Sequence, residues 1–384
     1  MFGSSTSVAL VMPTQSEIQL WMGALGACGL KRVTSFTSTK EAYEVCTRQQ
    51  FPLFIIRMEM PELSGVTLIQ KLRMTGNYGL EPQMLVCEKL DTKLVNVMAE
   101  YDLDYVTTAP FASAAVVQKI KHMLQVENNL SPGELQYREA KSAFSSGIIE
   151  MAEEKIKDVL KEAPSLEKAI LLSGDIEASR GAFDAAKSLY TKALGINPKS
   201  TSAAHKLAQM YTKMGNNKAA ADLLTKLAEI SPYSIKLLEN AGLSNFADER
   251  FDEAKRIMGK LTKLDDTNKT AASVTAEIKV KNGEFEGLVE SLRKSHDEKA
   301  IIQFLNNAGA KLSKGEDIDG AISMYNAAIE QITDNKFLYA IHFNMGIAYK
   351  KKSNLAQAGL HFKRALKLNP SFEKAAEELK KMAN

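Results

Sequence analysis

Cysteine is scarce in this 384-residue chain: Cys28, Cys46 and Cys87 are its only three. Their spacing fits neither a disulfide framework nor a zinc site, so a reducing cytoplasm and free thiols are expected. A dominant charge is also missing. Lys and Arg number 49 against 46 Asp and Glu, a net charge of +3. With no basic block, this excludes nucleic acid and membrane surfaces as expected partners. No apolar run approaches the length of a membrane span. The start, "MFGSSTSVALVMP", lacks a positive n-region and reads as a tip and a first strand rather than a signal peptide. The five histidines have no metal-like spacing, and no Ser-His-Asp or paired-carboxylate arrangement can be assembled. No metal, no cofactor and no catalysis are therefore expected. "GALGACG" (23–29) follows no strand in the form that cradles phosphate. Trp21, with Ile18 and Leu25, reads as a core stripe.

What is present falls into two rhythms, in a chain longer than the roughly 250–300 residues of one core. Up to residue 126, apolar strands at 8–12, 53–57, 83–87 and 104–108, and a weaker one at 32–36, alternate with amphipathic segments. The helices are expected at Ser16–Gly26, Thr39–Gln49, Gly65–Met74, Thr92–Tyr101 and Ala112–Val126, with Ser16 and Thr39 as N-caps. Strands that are apolar throughout belong to a parallel sheet covered on both faces. Five strand–helix units in this length imply an α/β flavodoxin-like, doubly wound domain. A linker at 127–132 follows.

Beyond it the strand signal stops. Pro164, Pro198 and Pro232 are 34 residues apart, and other columns keep that period. Counting each proline as position 32, position 8 is Ala140, Gly174, Ala208 and Gly242. Position 20 is Ala152, Ala186, Ala220 and Ala254, and position 24 is Ile156, Tyr190, Leu224 and Met258. Small residues at 8 and 20 let two helices approach, larger ones fill between hairpins, and proline closes each repeat. About seven motifs, near 133, 167, 201, 235, 269, 302 and 339, span 133–370. The fifth is degenerate, with Leu288 where alanine belongs. Residues 371–384 read as an amphipathic C-terminal capping helix.

This second part resembles the tetratricopeptide repeat (TPR) family, most closely in "LLSGDIEASRGAFDAAKSLYTKALGINP" (171–198) and "MGIAYKKKSNLAQAGLHFKRALKLNP" (345–370). An all-α superhelical solenoid is implied. Its protein-binding groove would hold His205, Gln209, Lys213, Lys236, Glu239, Leu243, Phe246, Phe343, Ile347 and Lys350.

The first part resembles the receiver (CheY-like) domain of bacterial response regulators. "VALVMP" (8–13), "FIIRMEMPELSG" (54–65), "QMLVCEKLD" (83–91) and "YVTTAPF" (105–111) carry the likeness. The resemblance places that family's metal-binding acidic pair on Met12 and Pro13 and its phosphoacceptor on Arg57. Its hydroxyl falls on Cys87 and its lysine on Ala109. A guanidinium is no nucleophile, so all five positions have lost their chemistry. Arg57, paired with Glu59 or Glu88, could hold the domain in one permanent state. The family's usual contact face corresponds to Leu94, Val95, Met98, Tyr101, Tyr105, Val117, Ile120 and Lys121, and a homodimer through it is a further expectation. The functional expectation is a non-catalytic, cytoplasmic bacterial signalling adaptor of a two-component-type pathway, with a protein partner in the TPR groove. Two alternatives stand beside it: a regulator phosphorylated at a non-standard acceptor such as Glu59, and an anion or small-ligand sensor at Arg57. For Cys87, a thiol acidified by Arg57 competes with an inert buried one.

Overall fold

A computed structural model describes residues 2–332 and 337–383, and the side chains of all these except Ala383. The chain divides into two compact units, Met1–Glu249 and Arg250–Asn384. The first unit takes in the sheet and the helices that follow it as far as Glu249.

The first unit opens with five strands, β1 (Ser7–Val11), β2 (Arg32–Phe36), β3 (Leu53–Arg57), β4 (Gln83–Cys87) and β5 (Tyr105–Thr108). All pair in parallel, in the order β2-β1-β3-β4-β5. This is a doubly wound order, which brings ligand-facing loops to the carboxyl ends of the strands. The interposed helices are α1 (Gln15–Ala27), α2 (Thr39–Arg48), α3 (Gly65–Met74), α4 (Thr92–Glu100) and α5 (Ser113–Asn128). Strand residues alternate between the two faces. Val8, Leu10, Leu53, Ile55, Met84 and Val86 pack with Trp21, Leu25 and Ile120 of α1 and α5. Ala9, Val11, Phe54, Ile56, Leu85 and Cys87 pack with residues of α2, α3 and α4. β2 is an edge strand, mostly exposed, which explains its weaker pattern.

Two caps differ from expectation. Thr14, not Ser16, caps α1 by accepting from the Glu17 amide, and Ser38, not Thr39, caps α2 by accepting from Glu41. In both, the earlier hydroxyl residue keeps extended backbone and reaches the third residue on.

After α5 the described residues hold fifteen further helices and no strand. In the first unit these are α6 (Pro132–Ser145), α7 (Ile149–Glu162), α8 (Glu167–Ser179), α9 (Phe183–Ile196), α10 (Thr201–Lys213), α11 (Asn217–Ile230) and α12 (Ile235–Ala247). The second unit holds α13 (Phe251–Leu264), α14 (Lys269–Lys281), α15 (Leu288–Arg293), α16 (Glu298–Lys314), α17 (Ile318–Gln331), α18 (Leu338–Lys351), α19 (Leu355–Leu368) and α20 (Glu373–Ala383).

The 34-residue columns have a steric basis. A Cβ on Gly174 would lie 2.4 Å from the Tyr190 ring, and one on Gly346 would lie 2.4 Å from that of Phe362. On Gly309 it would lie 2.0 Å from the Tyr325 hydroxyl. In each pair position 8 is emptied where position 24 is aromatic. Where position 24 is Ile156 or Leu224, position 8 is alanine. α15 is only six residues long, and Gly287, at φ +63°, is its N-cap. α16 starts at Glu298, capped by Asp297, earlier than the expected 302.

Candidate functional site

Arg57 ends β3, at the carboxyl edge of the sheet. Its side chain is 6% exposed, yet it is surrounded by carboxylates. Nε lies 2.8 Å from Glu59 Oε2, and Nη2 donates to Glu88 Oε1 at 3.0 Å. Nη1 lies 3.8 Å from Glu17 Oε2 on α1. Phe111 covers the guanidinium at 4.9 Å. The Glu88 amide donates to Glu59 Oε1 at 2.9 Å, joining the two acidic loops to each other. A buried cation is tolerable only with such compensation. Glu88 is 70% exposed and Glu59 42%, so they keep much of their water while the guanidinium does not.

The other four positions singled out from the sequence differ in exposure. Met12 and Cys87 are buried in the core, Pro13 is half-buried and Ala109 is exposed. The Ala109–Pro110 bond is cis. Burial, more than the nearby Glu59, pushes the Cys87 thiol up to about 11, outweighing the opposite pull of Arg57. Burial and this raised pKa disfavour the acidified-thiol alternative. Gly65 opens α3 where no side chain fits: its Cβ would lie 2.2 Å from the Arg57 carbonyl oxygen. No group of three or more His, Cys, Asp or Glu suited to a metal occurs among the described residues.

The expected contact face is not one exposed surface. Leu94, Met98 and Ile120 are core residues, while Val95 and Lys121 are exposed and Tyr105 and Val117 half-buried. Tyr105 donates to Glu127 at 2.6 Å, and Glu127 receives both terminal nitrogens of Arg138 on α6. Tyr101 meets Ser234 and the backbone of Lys236, and burial raises its phenol pKa.

That last contact belongs to a larger one. The turn between α11 and α12 sits against α3 and α4. Gln70 on α3 is 1% exposed. It donates to the Tyr233 carbonyl at 2.7 Å and accepts from the Ile235 amide at 2.7 Å. Asn96 on α4 donates to the Ile230 carbonyl at 3.1 Å. Glu100 Oε1 accepts from Ser234 at 2.8 Å and lies 3.0 Å from His205 Nδ1. Asn240 donates to His205 Nε2 at 2.8 Å, so the Nδ1 proton points at the carboxylate. Tyr233 packs onto the sheet's core.

The expected groove residues consequently divide. His205 and Glu239 are buried, and Gln209 and Phe246 half-buried, while Lys213, Lys236 and Leu243 remain exposed. His205 is committed to α4 rather than open to a partner. In the second unit Phe343 and Ile347 pack with Phe372, Leu379 and Met382 around α20, and Lys350 pairs with Glu378 of that helix at 2.5 Å. The capping helix thus covers residues expected to line a groove. A separate open groove of about 760 Å³ lies between α14 and α16, lined by Val280, Phe304 and Leu312 with Lys281, Lys311 and Lys314.

Residues 177–233 and 339–372 each match a tetratricopeptide repeat family model, so TPR repeats are present in the helical part. No curated protein matches. Solved structures similar to this chain include a tetratricopeptide repeat protein from Parabacteroides merdae, 17% identical over 66% of this chain and 99% of that one, with a TM-score of 0.38. YrrB, described as a TPR protein with an unusual peptide-binding site, is 16% identical over 59% of this chain and 97% of its own, with a TM-score of 0.35. The chemotaxis protein CheY4 of Vibrio cholerae is 17% identical over 31% of this chain and 98% of its own, with a TM-score of 0.29.

Proposed function

We propose that this protein is a non-catalytic adaptor of a bacterial two-component-type pathway. Its receiver-type domain accepts no phosphoryl group, and its TPR repeats bind protein. The observation that carries the reading is Arg57. Where a phosphoacceptor and its cation would sit, a buried guanidinium is already neutralised by Glu17, Glu59 and Glu88. Glu59 is held by Arg57 and by the Glu88 amide, which disfavours it as a substitute acceptor. The same three carboxylates repel an incoming anion, which disfavours a sensor at Arg57. Incubation with acetyl phosphate and Mg²⁺ should leave the intact mass unchanged; a gain of one phosphate would overturn the reading.

Partner binding is assigned to the open groove between α14 and α16. Its apolar floor, with three lysines against Glu277 and Asp317, suits an extended segment carrying apolar and acidic side chains. Lys311 pairs with Glu277 at 3.5 Å while 74% exposed, and Lys281 lies over the Phe251 ring at 4.5 Å. Capture of acidic peptides by the full chain should fall with Lys281→Glu and Lys311→Glu together. Undiminished capture by that double variant would exclude this groove.

A further inference from the structure

Arg57 grips two loops at once. Glu59 belongs to the loop between β3 and α3, and Glu88 to the loop between β4 and α4. With the Glu88 amide on Glu59, the three residues close a ring that ties one loop to the other. These loops are also walls. Met58, Glu59, Met60 and Ser64 of the first, Lys89 and Asp91 of the second and Leu94 on α4 line a cleft of about 320 Å³ together with Tyr233. Tyr233 comes from the α11–α12 turn, whose backbone Gln70 reads from α3. Through Glu59 the ion ring is part of the wall that faces Tyr233.

We propose that the Arg57–Glu59–Glu88 ring is the brace of an intramolecular docking site whose ligand is the chain's own turn, Ser231–Ile235. Arg57 acts here as a positioning residue. Its role is to hold the two loops at the separation that Tyr233 needs, while Gln70 and Glu100 supply the directional bonds. The consequence is an autoinhibitory contact. With the turn seated, α4 covers His205 on α10 and Ser234 at the N-cap of α12, and that surface is closed to any other protein. The site would admit a competitor of the same chemistry: a turn presenting a tyrosine, a serine hydroxyl, and a free carbonyl and amide two residues apart.

The ring rests on the adaptor reading only in treating the pocket as non-catalytic, and its test is independent of phosphate or partner. Amide hydrogen exchange is followed on the full chain for wild type, Arg57→Ala and Glu59→Gln. Release of the brace should speed exchange by about tenfold or more at residues 230–240 and in α4. β1 and residues 250–332 should keep their wild-type rates. Faster exchange confined to 57–60 and 88–91, with the turn still protected in both variants, would overturn the proposal. Should Arg57→Ala lose protection throughout the unit, Glu59→Gln decides, because it keeps the buried guanidinium and its Glu88 bond. A phosphorylated wild type with a braced turn would instead refute the adaptor reading and leave this one standing.

Discussion

Replacing Gln70 with alanine isolates the contact between sheet and repeats. The side chain is buried and closes two bonds of 2.7 Å with the backbone of the α11–α12 turn. Truncation strands the Tyr233 carbonyl and the Ile235 amide without a partner. Each buried orphan costs roughly 1–3 kcal/mol, so the pair sets a ceiling of roughly 2–6 kcal/mol. Undocking rehydrates both groups, so the observed loss cannot exceed the free energy of docking. Asn96 and Glu100 still hold the turn, which places the expected loss at about 2–3 kcal/mol. Native-state exchange at the Ile235 amide should therefore speed by roughly 30- to 150-fold. Gln70→Glu keeps an acceptor for Ile235 but sets an oxygen against the Tyr233 carbonyl, and should be at least as damaging. An Ile235 amide that exchanges at the wild-type rate in Gln70→Ala would refute the reasoning.

Three further expectations follow from other parts of the structure. Glu127→Ala leaves Arg138 half-compensated by Glu134 and removes the Tyr105 acceptor; about 3 kcal/mol of stability should be lost in urea unfolding. Gly346→Ala drives a methyl into Phe362 and should cost about 1–3 kcal/mol, whereas adding Phe362→Leu should recover part of it in a double-mutant cycle. His342 and His361 face each other at 3.2 Å, Nδ1 to Nδ1, and Tyr349 stacks on His361. Burial first, then His342 and Arg364, holds His361 down at about 4, while the unfolded imidazole titrates near ~6.5. The unfolded chain binds more protons in that window, so stability is full above it and lost as pH falls through it. The pair should make melting of the second unit pH-dependent between about 6.5 and 4, and His361→Phe should flatten that dependence.

The sheet was legible because its strands are apolar on both faces, and parallel burial leaves few alternatives to that pattern. The repeats were legible because proline, alanine and the glycine–aromatic exchange recur in fixed columns. Arg57 beside Glu59 and Glu88 could be foreseen, since strand-end residues of neighbouring strands converge. Glu17 could not, because α1 brings it in from another layer. The docked turn was also out of reach. Gln70 lies more than 160 residues from its partners, and nothing local marks a buried glutamine on α3 as a reader of distant backbone. Its only sequence trace is a polar residue inside the apolar run of that helix, matched by Tyr233 in the "SPYS" turn. The same blind spot explains why Leu94, Met98 and Ile120 were assigned to a surface. Helix periodicity names a buried stripe but does not say whether the sheet or a partner buries it.

The central proposal is that the five-stranded domain is set by Arg57 rather than by phosphate, and that it docks on its own repeats in that state. Amide exchange of the full chain, recorded with and without acetyl phosphate and Mg²⁺, tests this most directly. The account predicts an unchanged mass and a turn at 230–236 that stays protected equally in both. A phosphate gained together with loss of protection in that turn would contradict it.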